Sequence, residues 1–192
     1  MVPETIGWKD RSDDDLMRLV RAADTRAFEV LVRRYAGPLV GYLAKSTRDL
    51  ARAQELAQEV WISLWSNRES YMAGTSFRSW LFGAAVNRVR NEKRDRFRRG
   101  KVFSREENSE DRAKDSTPQI DKLIQREKLE ELVVGIEGLS SDHREALLLR
   151  FSAGLDYSDI AQAVGANEST VRSRVFFGIA KLREKVGATW AA

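Results

Sequence analysis

Tyr157-Ser158-Asp159-Ile160-Ala161-Gln162-Ala163-Val164-Gly165, followed by Ala166-Asn167-Glu168-Ser169-Thr170-Val171-Arg172-Ser173-Arg174-Val175-Phe176, decides the fold of the C-terminal part of this chain. With Gly165 as the turn between two helices, Ile160 and Val164 fall on the buried side of the first helix. Ala161 falls where a small side chain lets the helices cross closely, and Val171 and Val175 anchor the second. That pattern predicts a helix-turn-helix. The second helix presents Glu168, Ser169, Thr170, Arg172, Ser173 and Phe176 away from its anchors. Short hydroxyls and an arginine near a helix N-terminus suit base edges and phosphates in a major groove. An ordinary helical hairpin with a solvated polar face is the bland alternative.

Working outward, the rest of the chain also reads as helix. There are only three prolines and twelve glycines in 192 residues, and no alternating strand pattern is sustained. Helices are expected from about Ser141 to Phe151, Ser158 to Val164 and Glu168 to Val186. Apolar residues recur at helical spacing from Asp13 to about Tyr35. Gly37 and Pro38 are expected to interrupt before Leu39 to Lys45 resumes. Leu50 to Trp65 is a strong amphipathic helix, and another runs from Phe77 to about Arg96. From Arg98 to Asp121 the composition turns polar and charged, which predicts a flexible linker. Fully extended, it would reach on the order of 80 Å at ~3.4 Å per residue. Thr117-Pro118 is a good helix start, and Ile120, Leu123, Ile124, Leu132, Val133 and Ile136 continue at helical spacing. The expected architecture is all-α. It has a domain over 10–97, a flexible linker over 98–118 and a second domain over 119–188 with the helix-turn-helix.

The helix from Phe77 carries the second signal. Asn87, Asn91, Arg94 and Arg98 recur at four, three and four and form one polar face. Nine basic residues lie between Arg88 and Arg105 against two acids before Glu106, a local excess of seven, whereas the whole chain carries only +4. Cations for phosphates, aromatic rings such as Trp80 for bases, and amides for base edges are what unstacked DNA requires. Phe77 and Trp80 also fit a core role.

Composition excludes much else. Without cysteine there is no disulfide scaffold, thiol nucleophile or cysteine zinc site. The single histidine, His143, sits at a helix start, where a surface or capping role is expected. No phosphate loop or recognisable pair of catalytic carboxylates is present, so no enzyme activity and no cofactor or metal are expected. No apolar run approaches the ~20 residues of a membrane span, and the N-terminus lacks a signal pattern. A cytoplasmic location without membrane insertion is expected.

These residues resemble the extracytoplasmic-function (ECF) class of bacterial RNA polymerase sigma factors. Ser12 through Leu16 and Ala27 through Leu31 look like that family's opening helix. Gln54 through Trp61 is similar to its polymerase-binding helix, and Phe77 through Asn87 to its promoter-melting segment. Leu139 through Arg150, Asp159 through Ala161 and Ser169 through Arg174 look like its fourth region. The resemblance implies a transcription initiation factor that binds core RNA polymerase and promoter DNA. It implies recognition of the minus-ten element as melted non-template strand, through Trp80, Asn87, Arg90, Asn91, Arg94 and Arg98. Tyr71 to Ser76 would wall that pocket. The minus-thirty-five element would be read as duplex by the second domain. Glu55, Gln58, Glu59 and Ile62 would face the clamp helices of the large polymerase subunit, with a further contact to the flap. An anti-sigma factor is the usual partner of the class. The competing reading is a helix-turn-helix regulator with a helical sensor domain, which would not need the aromatic–Asn–Arg helix.

Some positions depart from the family. Arg52-Ala53-Gln54 stands where two acids and an alanine are common, which predicts weaker affinity for core polymerase. Asn91 replaces a common Asp. Val175 through Ile179 replaces basic residues, leaving Lys181 and Arg183. A phosphate on Ser46 or Thr47, just before the helix from Leu50, would restore negative potential there. Simple drift at this site is the blander expectation.

Overall fold

The computed structural model describes residues 8–72, 74–100, 135–136 and 138–190, and among these it contains helices and turns but no strand. The helices are α1 (Asp13–Arg21), α2 (Thr25–Thr47), α3 (Leu50–Ser66), α4 (Phe77–Gly100), α5 (Ser141–Leu147), α6 (Tyr157–Val164) and α7 (Glu168–Trp190).

Caps set most of the boundaries. Ser12 accepts from the Asp15 amide, and Asp13, Asp14 and Asp15 place negative charge in the positive first turn of α1. Asp24 accepts from the amides of Arg26 and Ala27 to start α2, and Asp49 accepts from that of Arg52 to start α3. The first break in the periodic run therefore lies at Ala22–Asp24, with Ala23 at φ 64°, and not at Gly37-Pro38 as expected. Pro38 lies inside α2. The steric penalty of a residue preceding proline comes largely from its Cβ, and Gly37 has none. Leu31, Leu39, Tyr42 and Leu43, all buried, then hold α2 on the core through the proline.

Helices α1 to α4 pack as one bundle around Leu16, Leu31, Leu43, Leu56, Val60, Phe77 and Phe82. Phe28 meets Trp61 edge-on at 5.8 Å between ring centroids, and Tyr42 meets Phe82 likewise at 5.9 Å. Helix α4 is longer than expected: it continues through Gly100, three residues into the stretch read as linker. The remainder of that stretch, and the helix expected from Thr117-Pro118 through Val133, lie outside the described residues.

In the second region Ser140 caps α5, which runs into a wider π turn at Leu148–Ser152. Asp156 caps α6 by accepting from the Asp159 amide. Gly165 closes α6 at φ 70°, ψ 40°, a conformation that side chains disfavour. Asn167 Oδ1 then accepts from the Thr170 amide at the start of α7. Ile160, Ala161, Val171 and Val175 are buried as the helix-turn-helix pattern requires, and Val164 is half-buried. Gly178 explains part of the departure after Arg174. A Cβ there would lie 3.1 Å from Leu147 Cδ1, so α7 and α5 pack closely only because residue 178 has none.

The two helical regions share one core. Leu149, Leu155, Ile160 and Val171 join the same buried cluster as the α1–α4 bundle. Helix α6 lies against α4, where a Cβ on Gly83 would sit 3.5 Å from the Ala163 carbonyl oxygen.

Candidate nucleic-acid interface

Three residue sets bear on function, and each has a definite place in the fold. On α4, Asn87, Asn91, Arg94 and Arg98 are exposed. At about 100° per residue they fall, with Trp80, within roughly 60° of the helix circumference. Arg94 donates to the Asn91 side-chain oxygen. Trp80 is half-buried and packs on Tyr71 at 5.3 Å between centroids. The Tyr71 hydroxyl bonds to Asp14 at 3.0 Å and to the Thr75 carbonyl, which fixes the 71–76 segment beside Trp80. Burial and Asp14 push that phenol well above its ordinary pKa, so it remains a donor. Phe77 is buried, in keeping with a core role.

Beside Trp80 and Asn87 is a cleft of about 340 Å³, whose far wall is Gln162 and Ala163 of α6. Arg90 lies outside the polar arc, about 60° from Asn87 around the helix. Its guanidinium forks onto Glu145 of α5, at 3.2 and 2.7 Å. Lys93 is held below its ordinary pKa by burial, and secondarily by Arg144. The second region thus abuts the flank of α4 next to the polar arc. Sequence reasoning missed this juxtaposition.

On α3, Glu55, Gln58 and Ile62 are exposed along one side, and Ile62 has no apolar cover. Glu59 is half-buried because it is already paired, with Arg88 at 3.2 Å and Arg52 at 3.4 Å. Arg52 also reaches Glu55 at 2.8 Å and Glu92 of α4 at 2.8 Å. Glu92 in turn meets Arg96 at 3.5 Å. Three guanidiniums and three carboxylates so tie α3 to α4, and Arg52 points toward α4 instead of adding an outward positive charge.

On α7, Ser169, Arg172, Ser173 and Phe176 are exposed, and Glu168 and Thr170 are half-buried. Arg172 is braced: it donates to Glu168 at 3.0 Å, and its guanidinium lies 4.4 Å from the Tyr157 ring centroid. Arg174 is drawn away to Asp142 at 2.6 Å. Phe176 and Phe177 are both exposed and pack edge to face at 5.5 Å. His143 caps as expected, its amide and Nδ1 both against Ser140 Oγ.

Comparison with known proteins places this arrangement. Residues 31–99 match the model of sigma-70 region 2, and residues 129–182 that of sigma-70 region 4. The chain is 32% identical over 170 residues to the RNA polymerase sigma-H factor of Pseudomonas aeruginosa, covering 85% of this chain and 88% of that one. It is also 32% identical over 161 residues to the RNA polymerase sigma factor CarQ of Myxococcus xanthus, covering 84% and 90%. The ECF RNA polymerase sigma-E factor of Haemophilus influenzae is 30% identical over 185 residues, covering 91% and 95%. The fold is similar to that of CnrH in its complex with the cytosolic domain of CnrY, at a TM-score of 0.71 and 20% identity over 93% of this chain and 99% of that one. The chain belongs to the RNA polymerase sigma factors, in their ECF class. Its function is to direct RNA polymerase to promoters for the initiation of transcription. Among the described residues, no helix is long and apolar enough to cross a membrane.

Proposed function

We propose that the α4 face recognises the minus-ten element as melted non-template strand, while the exposed side of α7 reads the minus-thirty-five element as duplex. The observation that carries this is the exposed arc of Asn87, Asn91, Arg94 and Arg98 running into a cleft beside Trp80. Amides read base edges, guanidiniums hold phosphates, and a ring beside a small cleft suits one unstacked base. Unstacking costs a few kcal/mol per base, and the chain has no fuel for it. Contacts with the polymerase therefore have to stabilise the open state. Those contacts are assigned to Glu55, Gln58, Glu59 and Ile62 on α3, against the clamp helices of the large subunit, with a second contact from the C-terminal region to the flap. The nucleotidyl chemistry belongs to the polymerase. An anti-sigma factor is the expected regulator, in line with the complexes in which similar folds are seen.

A fluorescent base analogue in the non-template minus-ten strand tests the reading. Holoenzyme assembled with this chain should raise its emission on opening, and Asn87→Ala should depress that rise while sparing polymerase binding. An unchanged rise with Asn87→Ala would contradict the assignment.

A further inference from the structure

The flank of α4 facing the second region carries groups able to hold phosphates, and each meets an acid or a carbonyl of that region. Ser79, buried, donates a 2.7 Å hydrogen bond to the buried Asp159 carboxylate. Arg78 donates to the Gly154 carbonyl, and its Nε stands 4.0 Å from the same Asp159. Arg90 holds both oxygens of Glu145 in a fork, the geometry in which guanidinium also takes a phosphate. Between these contacts, Gly83 lets the Ala163 backbone approach α4. Cleft walls at this point are small or polar on both sides, with Gly83 and Ala84 against Gln162 and Ala163. Separation along the cleft bares no large apolar side chain there.

We infer that the second region is an intramolecular cover for the α4 face, with Glu145 and Asp159 standing where DNA phosphates would stand. The cover has to lift before promoter DNA can occupy the cleft. This rests on the reading of α4 given above. It assigns Glu145 and Asp159 a part in holding the free chain closed. A site hidden in the closed form binds with an apparent affinity reduced by the fraction of molecules that are open.

The natural chain has no cysteine, so Arg33→Cys on α2 and Ala180→Cys on α7, both exposed, accept spin labels cleanly. Distances between the labels report closure. The parent pair should give one narrow distribution. Glu145→Arg should shift it to longer, broader distances, and Arg90→Glu combined with Glu145→Arg should restore it. A mere folding lesion in α5 would not be repaired by a change on α4. A single-stranded oligonucleotide carrying a fluorophore supplies the second readout: Glu145→Arg should bind it about tenfold more tightly than the parent. Glu29→Arg, the same charge change on exposed α2, should gain much less. Unchanged label distances in Glu145→Arg overturn the cover, and so does opening with no more gain in binding than Glu29→Arg shows. If no variant, open or closed, binds the oligonucleotide, the reading of the α4 face fails too, while the distances still judge whether Arg90 and Glu145 hold the chain closed.

Discussion

Arg52 on α3 donates to Glu92 on α4 at 2.8 Å, across a contact that leaves the Glu92 side chain only 13% exposed. This pair changes the meaning of a position that departs from the family pattern. The expectation that Arg52 weakens polymerase binding assumed an outward charge, but its guanidinium is spent on Glu55, Glu59 and Glu92.

Restoring acids at both positions should therefore have separable effects. Arg52→Asp strips Glu92 of a partner and adds a like charge beside it, which should cost about 1–3 kcal/mol. Gln54 is exposed on α3, and Gln54→Glu should be near neutral for stability. Thermal unfolding checks this: a clear fall in Tm for Arg52→Asp with little change for Gln54→Glu is expected. Equal Tm values would show that the network contributes nothing.

Phosphorylation at Thr47 should not strengthen polymerase binding. The Thr47 hydroxyl donates to the Leu43 carbonyl at 2.9 Å and accepts from the Asp49 amide. Thr47 also closes α2 at the negative end of that helix, and Asp49 already supplies the capping charge for α3. Thr47→Glu should lower stability by about 1 kcal/mol and leave affinity for core polymerase unchanged or weaker. Tighter binding in a titration of core polymerase would reverse this conclusion.

The α7 assignment is tested by competition among promoters altered in one element at a time. Arg172→Ala removes a guanidinium held in place by Glu168 and Tyr157. It should weaken discrimination at the upstream element by about 1–3 kcal/mol and leave discrimination within the downstream element intact. A uniform loss across all promoters would mean that Arg172 contacts only phosphate.

Asp156 links the helix-turn-helix to pH. Hydrogen bonds from the Asp159 amide, and less strongly from Ser158, hold its carboxyl below the ordinary range, against a small opposing effect of burial. A depressed folded-state pKa means the contribution is present above about pH 4 and is lost as pH falls through the folded value. Asp156→Ala should cost about 1 kcal/mol at pH 7, as loss of an N-cap does. The difference from the natural chain should shrink on acidification to pH 3. Denaturant unfolding at both pH values measures it, and a difference independent of pH would rule out the capping carboxylate as its source.

What the sequence made legible was local. The turn at Gly165, the anchors Ile160, Val171 and Val175, and the exposed arc from Asn87 to Arg98 all follow from spacing along single helices. The uninterrupted run of α2 through Pro38 depends on Gly37 lacking a Cβ and on tertiary packing that no periodicity reveals. The pairs Ser79–Asp159, Arg90–Glu145 and Arg52–Glu92 join residues far apart in sequence, and nothing in the local pattern of either partner signals the other. A buried Asp one turn into α6 makes sense only once Ser79 is opposite it. Likewise Arg52 reads as a lost acid until α4 is seen beside it.

The most direct measurement is run-off transcription by purified core RNA polymerase, with and without this chain, on a library of promoter fragments. Addition of the chain should produce transcripts from a defined subset of fragments that share two separated sequence elements. Equal transcription from the library with and without the chain, under conditions where the chain is folded and binds core polymerase, would contradict the account.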